Sequence, residues 1–334
     1  FRQDFFQNCV RSMKRVLYVI SALTSFLVSF NAAAQVKPIP FGNMEHWMVR
    51  QVDESGIIGG KTKFLYEVAS GDTLRNNTPY VPDLKVSPWA TSSVLAVVKG
   101  VTKSSCTVFP EYHGKGRAAR LETRIERVKV LGLINISVLA TGTIFLGEIM
   151  EPVRDTKNPQ AKLMMGIPFT ERPKSIIYDY KFEQGAENGK RMKMTGFSRV
   201  QDIPGVNCAE MCLLLQKRWE GADGKVYAKR VGTAWVRYDK DTKSWVNANE
   251  VPIKYGDITK SPDFQPYMGL IEAGEDAPHC KNSKGEAVPI HEVGWAAPGE
   301  KPTHIILRFS SGHGGAYVGS PGAMLHIDNV KLKY

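Results

Sequence analysis

Tryptophan and arginine at alternate positions of a predicted strand are the residues of this chain whose chemistry is easiest to recognise. Thr233, Trp235 and Arg237 follow one another at a spacing of two, so in a strand their side chains share one face. A flat indole ring can stack on the C–H face of a sugar, and a guanidinium beside it can hydrogen-bond hydroxyls or an acidic substituent. Trp89 and Trp245 lie near predicted strand ends. Trp235, Arg237, Trp89 and Trp245 are therefore the candidate carbohydrate-binding residues, although each tryptophan could instead fill a core.

Paired carboxylates are the second kind of residue with recognisable chemistry, because glycoside hydrolysis uses two of them across the bond that is cleaved. Glu111, Glu122, Glu148 and Asp179 are available, but no two are singled out by their surroundings. Glu122 alternates with arginines such as Arg120, which is typical of a solvated strand face. The chain also lacks the HExxH, G-x-S-x-G, P-loop and G-x-G-x-x-G patterns. The sequence therefore assigns no catalytic residue.

The charge balance restricts the class of partner. The formal net charge is +11, and removing the four basic residues and one acidic residue of the first 34 positions leaves +8. The basic residues are spread thinly among Asp and Glu, without the long basic block that is typical of nucleic-acid binding. The excess is therefore interpreted as a bias towards acidic glycans or as a contribution to solubility, and not as a nucleic-acid surface.

The N-terminal region has the pattern of an export signal. Met13-Lys14-Arg15 is followed by the apolar run Val16–Phe30 and by three alanines that end at Ala34. Residues 13–34 are therefore predicted to be a signal peptide cleaved after Ala34, and residues 1–12 to be an over-extended start. The apolar run is short for a membrane span, although an N-terminal anchor remains the alternative. The expected location of the mature chain is the periplasm or the extracellular space.

Four cysteines remain after the predicted cleavage: Cys106, Cys208, Cys212 and Cys280. Export permits disulfides, and four cysteines allow three pairings between which sequence does not choose. Cys208 and Cys212 lack the two-residue spacing of a redox or zinc motif. Either a structural disulfide or buried thiols are expected.

Short apolar runs separated by turn residues predict an all-β chain. Residues 118–126 alternate between apolar and charged side chains, and residues 174–182 alternate again. Residues 302–334 contain two strands around a glycine-rich break, and the last strand must pair with strands already formed. Residues 263–302 are rich in Pro, Gly and polar residues and are interpreted as long loops. Residues 35–334 are predicted to form one domain.

Four segments carry a resemblance to a known family. They are PFGNMEHW (Pro40–Trp47), GIPFTERPKSIIYDYKF (Gly166–Phe182), the stretch from GTAWVRYD to SWVNANEVPIKY (Gly232–Tyr255) and SSGHGGAYVGSPGAMLHIDNVKLKY (Ser310–Tyr334). In this order they resemble the putative carbohydrate metabolism domain of secreted Bacteroidetes proteins. The resemblance implies a jelly-roll-like antiparallel β-sandwich of the carbohydrate-binding kind. It implies no particular reaction.

The resemblance also implies that the first and last strands are neighbours. In many carbohydrate-binding jelly rolls a calcium ion holds those two strands together. Asn43 and Glu45 come just before the predicted first strand and Asp328 lies in the last one, and they supply the oxygen ligands that a hard cation requires. These three residues are the predicted ligands of a structural calcium ion. The alternative is that Asp328 and its neighbour Asn329 only make a turn.

Three functions are compatible with this sequence. The first is an exported carbohydrate-binding protein that assists polysaccharide capture or breakdown. The second is a glycoside hydrolase or lyase with carboxylates on a concave sheet face, and the third is a structural or adhesive surface protein. An aromatic platform beside arginine would favour binding, and a carboxylate pair in a cleft would favour hydrolysis. An exposed apolar patch or free sheet edge would favour the adhesive protein.

Overall fold

The computed structural model describes residues 35–130, 134–155, 157–196, 200–274 and 276–334, and the predicted leader over residues 1–34 lies outside them. Regular structure in these ranges is almost entirely strand, which confirms the all-β prediction. The short helical turns are Ala186–Gly189, Gly56–Ile58, Pro159–Lys162 and Pro266–Met268. No helix within the described ranges is long and apolar enough to span a membrane.

The described residues contain 26 strands. The first thirteen are β1 Val36–Pro38, β2 Met48–Asp53, β3 Thr62–Glu67, β4 Trp89–Thr91, β5 Val94–Val98, β6 Val101–Ser105, β7 Val108–His113, β8 Gly116–Glu122, β9 Arg124–Val130, β10 Ile134–Ala140, β11 Thr143–Ile149, β12 Leu163–Met165 and β13 Ile167–Pro168. The others are β14 Ser175–Glu183, β15 Lys190–Lys193, β16 Thr195–Gly196, β17 Gln201–Val206, β18 Ala209–Glu220, β19 Val226–Tyr238, β20 Val246–Pro252, β21 Lys254–Tyr255, β22 His279–Lys281, β23 Ala287–Trp295, β24 His304–Ser310, β25 Val318–Gly319 and β26 Met324–Lys333.

The closing strand β26 lies in the middle of a six-stranded sheet. The strand order is β20-β14-β26-β8-β7, and β1 also pairs with β26. The predicted pairing of the last strand with strands already formed is therefore confirmed, and the first and last strands are neighbours. Asn329 has a φ of 54°, and the register between β14 and β26 shifts beside it, as the phase change across Asp328-Asn329 indicates.

Seven strands of a second sheet close into a ring. The order is β24-β18-β19-β23-β22-β12-β11, and β11 pairs again with β24. Most strand pairs are antiparallel, as predicted, but β12 pairs with β22 and β19 with β23 in parallel. The closure and the parallel pairs are not evident in the sequence, because both depend on partners distant along the chain. The jelly-roll strand order stays a prediction.

Strand β18 defines the direction of this ring. Its alternate residues Glu210, Cys212, Leu214, Gln216 and Arg218 share one face. Cys212 and Leu214 pack with apolar residues of the other ring strands in one cluster, so this face is the inside of the ring. We call the end at Glu210 the first mouth and the end at Arg218 the second mouth. Eight residues separate them, which is about 26 Å of strand.

The main core lies between the six-stranded sheet and the outside of the ring. Ile176, Phe182 and Leu325 of the sheet pack in one cluster with Leu213 and Leu307 of the ring, and all five are fully buried. Two sheets therefore pack face to face, and burial of these side chains stabilises the arrangement by roughly 1.5–3 kcal/mol each. This packing fixes the backbone on which both mouths are built.

Two sequence expectations differ in detail from the structure. The alternating stretch 118–126 is confirmed in its buried and solvated faces, but it is divided at Thr123, which is fully buried and bonded to Ser311. The loops predicted over residues 263–302 are wrong in part, since β22 and β23 lie there. Their apolar residues are interrupted by Pro289 and His291, and this conceals the alternation.

The four cysteines of the described region are free thiols. Of the two expectations, unpaired thiols are what the structure shows. Cys212 is buried inside the ring, and burial raises the pKa of its thiol to about 12. Burial likewise raises the pKa of Cys106 to about 12. Both thiols are therefore protonated at neutral pH and poorly nucleophilic.

Candidate functional site

A cavity of about 530 Å³ opens at the first mouth of the ring. Its floor is made by β18, β19 and β24, and one wall by the hairpins β5–β6 and β9–β10. The glycine-rich segment 312–317 forms another wall. Its size falls in the range of small-molecule sites. The cavity therefore combines a rigid strand floor with loop walls.

Glu210 and two arginines form the floor. Strand pairing places Glu210 opposite Arg237 of β19, and Arg308 lies two residues from its partner on β24. Arg237 Nε donates to Glu210 Oε2 at 2.8 Å, and Arg308 Nη2 donates to Oε1. Glu210 is 2% exposed. One carboxylate thus fixes two guanidinium groups, and the group of three carries a net charge of +1.

Protonation states on the floor follow from this geometry. Burial raises the pKa of Glu210, but Arg308 and Arg237 more than offset it, so the pKa lies below its usual value. Burial alone would lower the pKa of Arg308, but the attraction of Glu210 outweighs burial, so the pKa lies above its usual value. The carboxylate is therefore ionised and the guanidinium protonated at neutral pH. Since both oxygens of Glu210 accept hydrogen bonds from arginine, this residue is suited to positioning the two guanidinium groups.

An aromatic pair supports the arginines. The rings of Trp235 and Tyr267 meet edge to face, with centroids 5.7 Å apart. The guanidinium of Arg237 lies over the Tyr267 ring at 4.0 Å from its centroid, a cation–π contact. Trp235 and Arg237 line the cavity. The indole ring and the guanidinium are therefore held side by side on the same face of β19.

The glycine-rich wall places a neutral imidazole at the cavity. The backbone N–H of Cys208 donates to His313 Nδ1 at 3.0 Å. Burial and the nearby Arg191 and Arg237 lower the pKa of His313 to about 4. His313 Nδ1 also lies 3.3 Å from Cys208 O, so the Cys208 backbone holds the imidazole in place. Gly314 has a φ of 92°, and a Cβ there would lie 2.2 Å from Arg191 Nη2, so this approach requires glycine.

The opposite wall is largely apolar but contains one half-buried acid. Val128, Ile136 and Val138 line the cavity from β9 and β10. Glu126 lies among them, and burial raises its pKa above the usual range even though Lys103 lies 3.9 Å away. An apolar wall facing a polar floor is the arrangement that excludes water on one side and orients a ligand on the other.

The structure separates the four predicted carbohydrate-binding residues. Trp235 and Arg237 meet at the cavity, as their spacing indicates. Trp89 does not lie at the surface as expected: it is fully buried in the main core, and its Nε1 donates to Pro40 O at 2.9 Å. The strand-end position conceals this burial, because strands from both sheets cover it. Trp245 is half-buried and lies apart from the cavity lining, stacked on His113 at 3.9 Å between centroids.

Two of the predicted calcium ligands, Asp328 and Glu45, have different hydrogen-bond partners. Asp328 Oδ2 lies 2.7 Å from His113 Nδ1, and among the described residues His113, Asp179 and Asp328 form a group with ligand atoms within 4.8 Å of one another. Glu45 instead accepts a hydrogen bond from the backbone N–H of Arg117 at 3.1 Å, and Asn43 is exposed. An imidazole in the group does not suit calcium, which prefers oxygen ligands. The calcium site stays a prediction.

Several cavity residues were not found from the sequence. Glu210 and Arg308 each interrupt an apolar strand with one charge, and such an interruption is the available signal for a buried ion pair. Tyr267 follows Pro266 in a segment interpreted as loop. His313 belongs to the glycine-rich break, whose proximity to β18 depends on the closing strand. Their convergence depends on tertiary pairing and not on local pattern.

The fold and the cavity define an all-β protein with a ligand-sized cavity of mixed polarity. The family model described as "Putative carbohydrate metabolism domain" matches residues 66–272, and the chain belongs to this family, as the resemblance indicates. The match includes Glu210, Trp235, Arg237 and Tyr267. Arg308 lies beyond it.

Two solved structures are similar to this chain. One, from Bacteroides thetaiotaomicron, is described as a putative glycoside hydrolase; it has 15% identity, covers 83% of this chain and 76% of its own, and gives a TM-score of 0.43. The other, from Bacteroides vulgatus and described in the same words, has 14% identity, covers 89% and 94%, and gives a TM-score of 0.40. No curated protein matches the chain.

Proposed function

We propose that this protein binds a carbohydrate chain in the cavity at the first mouth of the ring. Its family relates it to carbohydrate metabolism. The observation that carries the proposal is the position of Trp235 beside Arg237, both facing one cavity of about 530 Å³. Trp235 stacks on the apolar face of a sugar, and Arg237 and Arg308 donate hydrogen bonds to its oxygen atoms.

The preferred ligand within this proposal is an acidic glycan. Arg237 and Arg308 share a single buried carboxylate, so the floor retains one positive charge. Their side chains are 25% and 22% exposed, which leaves part of each guanidinium open to a ligand. A carboxylate or sulfate on the sugar supplies the missing negative charge. The N-terminal export pattern supports a location outside the cytoplasm in the same proposal.

Glycoside hydrolysis is the second candidate, and one observation favours it. Glu126 and Glu210 line the same cavity, and their surroundings shift their pKa values in opposite directions, upwards for Glu126 and downwards for Glu210. Two carboxylates that face one substrate and have pKa values shifted apart are the usual basis for a division of acid and base roles. Binding is preferred because both oxygens of Glu210 are already hydrogen-bonded to arginine.

A glycan array followed by product analysis tests the proposal. We expect the protein to bind a defined set of acidic glycans and to leave them intact after long incubation. If the unmodified chain produces shortened oligosaccharides and Glu126→Gln does not, the function is hydrolysis and not binding alone. Absence of binding to plant, mucin and acidic glycans would overturn the proposal and favour the structural or adhesive alternative.

A further inference from the structure

The second mouth of the ring contains a separate cavity of about 270 Å³. Leu84, Met164 and Val226 form apolar parts of its lining. Trp219, which is 42% exposed, also lines it. Arg218, on the inner face of β18, is one of the polar residues of the lining. The volume suits a ligand of about the size of one sugar ring.

Arg218, which is half-buried, differs from Arg50, Arg230 and Arg308 in having no carboxylate partner. Arg50 pairs with Glu67, and Arg230 pairs with Glu292. Arg308 pairs with Glu210. Among the described residues no Asp or Glu lies within ion-pair distance of Arg218. Taking a guanidinium out of water without a counter-charge is costly, so this position requires a physical reason.

The hydrogen bonds of Arg218 hold the side chain but do not neutralise it. Nε donates to Gln216 Oε1 at 2.7 Å, and Nη1 and Nη2 each donate to Met165 O at 3.2 Å. Three of the five N–H groups of a guanidinium are thus used, and two have no acceptor among the described residues. The bound groups are neutral. The guanidinium is therefore held in one position, with its positive charge uncompensated and two N–H donors unused.

The other charged groups of the lining are bonded to residues other than Arg218, Lys281 to a carboxylate and Glu220 to neutral groups. Lys281 donates to Glu148. Glu220 accepts hydrogen bonds from the backbone N–H and the hydroxyl of Ser283, both at 2.7 Å. Burial and Arg218 lower the pKa of His304, which also lines the cavity, to about 4, so its ring is neutral at pH 7. Arg218 is therefore the one lining cation of the described residues without an ionic partner.

We propose that the second mouth is an oxyanion-binding site, in which Arg218 receives a carboxylate or a sulfate carried on a ligand of monosaccharide size. Arginine presents parallel N–H groups that match the oxygen atoms of both anions. The apolar lining contacts the C–H face of the ligand ring. This site is about 26 Å along β18 from the first mouth, and it does not require that the proposed function of the first mouth be correct.

Protonation does not limit the site at neutral pH. Burial lowers the pKa of Arg218 to about 10, so the guanidinium is still charged at pH 7. A bound anion would raise this pKa again by restoring a counter-charge. Binding should accordingly weaken with salt only moderately, because the charge is shielded from bulk solvent.

Calorimetric titration of the full chain tests the site with three probes: glucuronate, glucose 6-sulfate and neutral glucose. We expect one or both acidic probes to bind at low ionic strength, and glucose to bind at least tenfold more weakly. Arg218→Gln should weaken the acidic probes by at least tenfold. Arg218→Lys retains a charge but not the planar guanidinium. Its affinity for the acidic probes should lie between those of Arg218→Gln and the unmodified chain. Comparison of the two acidic probes identifies carboxylate or sulfate.

Two controls separate this site from the first mouth. Lys217→Gln changes an exposed neighbour that pairs with Glu300 and should leave binding unchanged. Arg237→Gln should leave binding at the second mouth unchanged even if it abolishes glycan binding at the first. Equal affinity of Arg218→Gln and the unmodified chain, or equal affinity for glucose and the acidic probes, would overturn the proposal. If Arg218→Gln does not fold, crystals soaked with glucuronate and with glucose 6-sulfate decide, since the proposal requires density beside Arg218 for at least one probe.

Discussion

Two ion clusters of this protein use the same residue types but present different groups to their surroundings. In the first cluster Arg50 lies between Glu67 and Glu151, and the side chains are 1%, 0% and 0% exposed. In the second cluster Glu210 lies between Arg237 and Arg308, which are 25% and 22% exposed. With Glu67 ionised the first cluster carries one excess negative charge, whereas the second carries one excess positive charge.

Their hydrogen bonds explain the difference. Glu151 accepts from the backbone N–H groups of Tyr80 at 3.0 Å and Leu95 at 2.8 Å, and Glu67 accepts from the Thr91 hydroxyl at 3.2 Å. The first cluster therefore ties β2, β3, β4 and β5 together and leaves its carboxylates no free face. In the second cluster the shared carboxylate is buried and the arginines border a cavity. A charged cluster is a candidate for binding when its unused donors face open space.

Removal of Arg50 is the largest expected effect. Arg50→Leu leaves two buried carboxylates without their cation, and breaking a buried ion cluster in this way costs about 3–5 kcal/mol. We expect the free energy of unfolding, measured by urea denaturation, to fall by that amount. Arg50→Lys, which keeps the charge, should lose less. A loss below about 1 kcal/mol for Arg50→Leu would contradict the structural role of the first cluster.

Removal of Arg308 should have a smaller effect on stability and a larger one on binding. Arg308→Met leaves Glu210 with Arg237 as a partner, so the expected loss of stability is about 1–2 kcal/mol. Glycan binding at the first mouth should weaken by about tenfold or more, as one charged donor is lost. Denaturation and calorimetry on the same preparation measure both quantities. If Arg308→Met lost as much stability as Arg50→Leu and kept its affinity for the glycan, the second cluster would be structural like the first.

The two clusters should respond to pH with opposite signs. Burial and repulsion from Glu151 raise the pKa of Glu67 to about 7, although Arg50 opposes them. The stability that depends on protonated Glu67 is present below its unfolded pKa of about 4.5 and is lost as pH rises through about 7. The pKa of Glu210 is lowered, so its contribution is present above about 4.5 and is lost as pH falls.

Two isosteric substitutions measure these signs. Glu67→Gln should be at least as stable as the unmodified chain at pH 8. Between pH 5 and pH 8 the unmodified chain should lose unfolding free energy on the order of 1 kcal/mol, and the variant should not show this loss. Glu210→Gln should be less stable at pH 7, and the difference should shrink towards pH 4. Melting temperatures recorded across this range give the result. If the melting temperatures of both variants, relative to the unmodified chain, change with pH in the same direction, the charges assigned to the two clusters are wrong.

Local pattern was sufficient for several of the strands and for part of the cavity, but not for β22 and β23. Residues 118–126 and 302–334 are predicted by alternation, because one face of each sheet is packed against the core. Trp235 and Arg237 are found together because residues two apart in a strand share a face. What the pattern cannot give is which distant strands are neighbours. Closure of the ring depends on β11 pairing with β24, more than 150 positions along the chain.

The residues missed by sequence reasoning share this cause. Glu210 and Arg308 are 98 positions apart and meet only because β18 pairs with β24. Trp89 was predicted to be exposed from its position at a strand end, but Pro40, 49 positions earlier, accepts its indole N–H. Asp328 was predicted to share a calcium ion with Asn43 and Glu45, and in the structure its carboxylate lies 2.7 Å from His113 Nδ1. In each case the deciding contact is long-range.

The most direct test of the account compares two tryptophans by calorimetry with a glycan selected on the array. Trp235 lines the cavity at the first mouth, whereas Trp245 is stacked on His113 and lies apart from the cavity lining. Trp235→Ala should weaken binding by about tenfold or more, since stacking of one aromatic ring and its buried area are lost. Trp245→Ala should leave the affinity within about twofold of the unmodified chain. Loss of binding with Trp245→Ala and not with Trp235→Ala would contradict the account and move the glycan site to the six-stranded sheet.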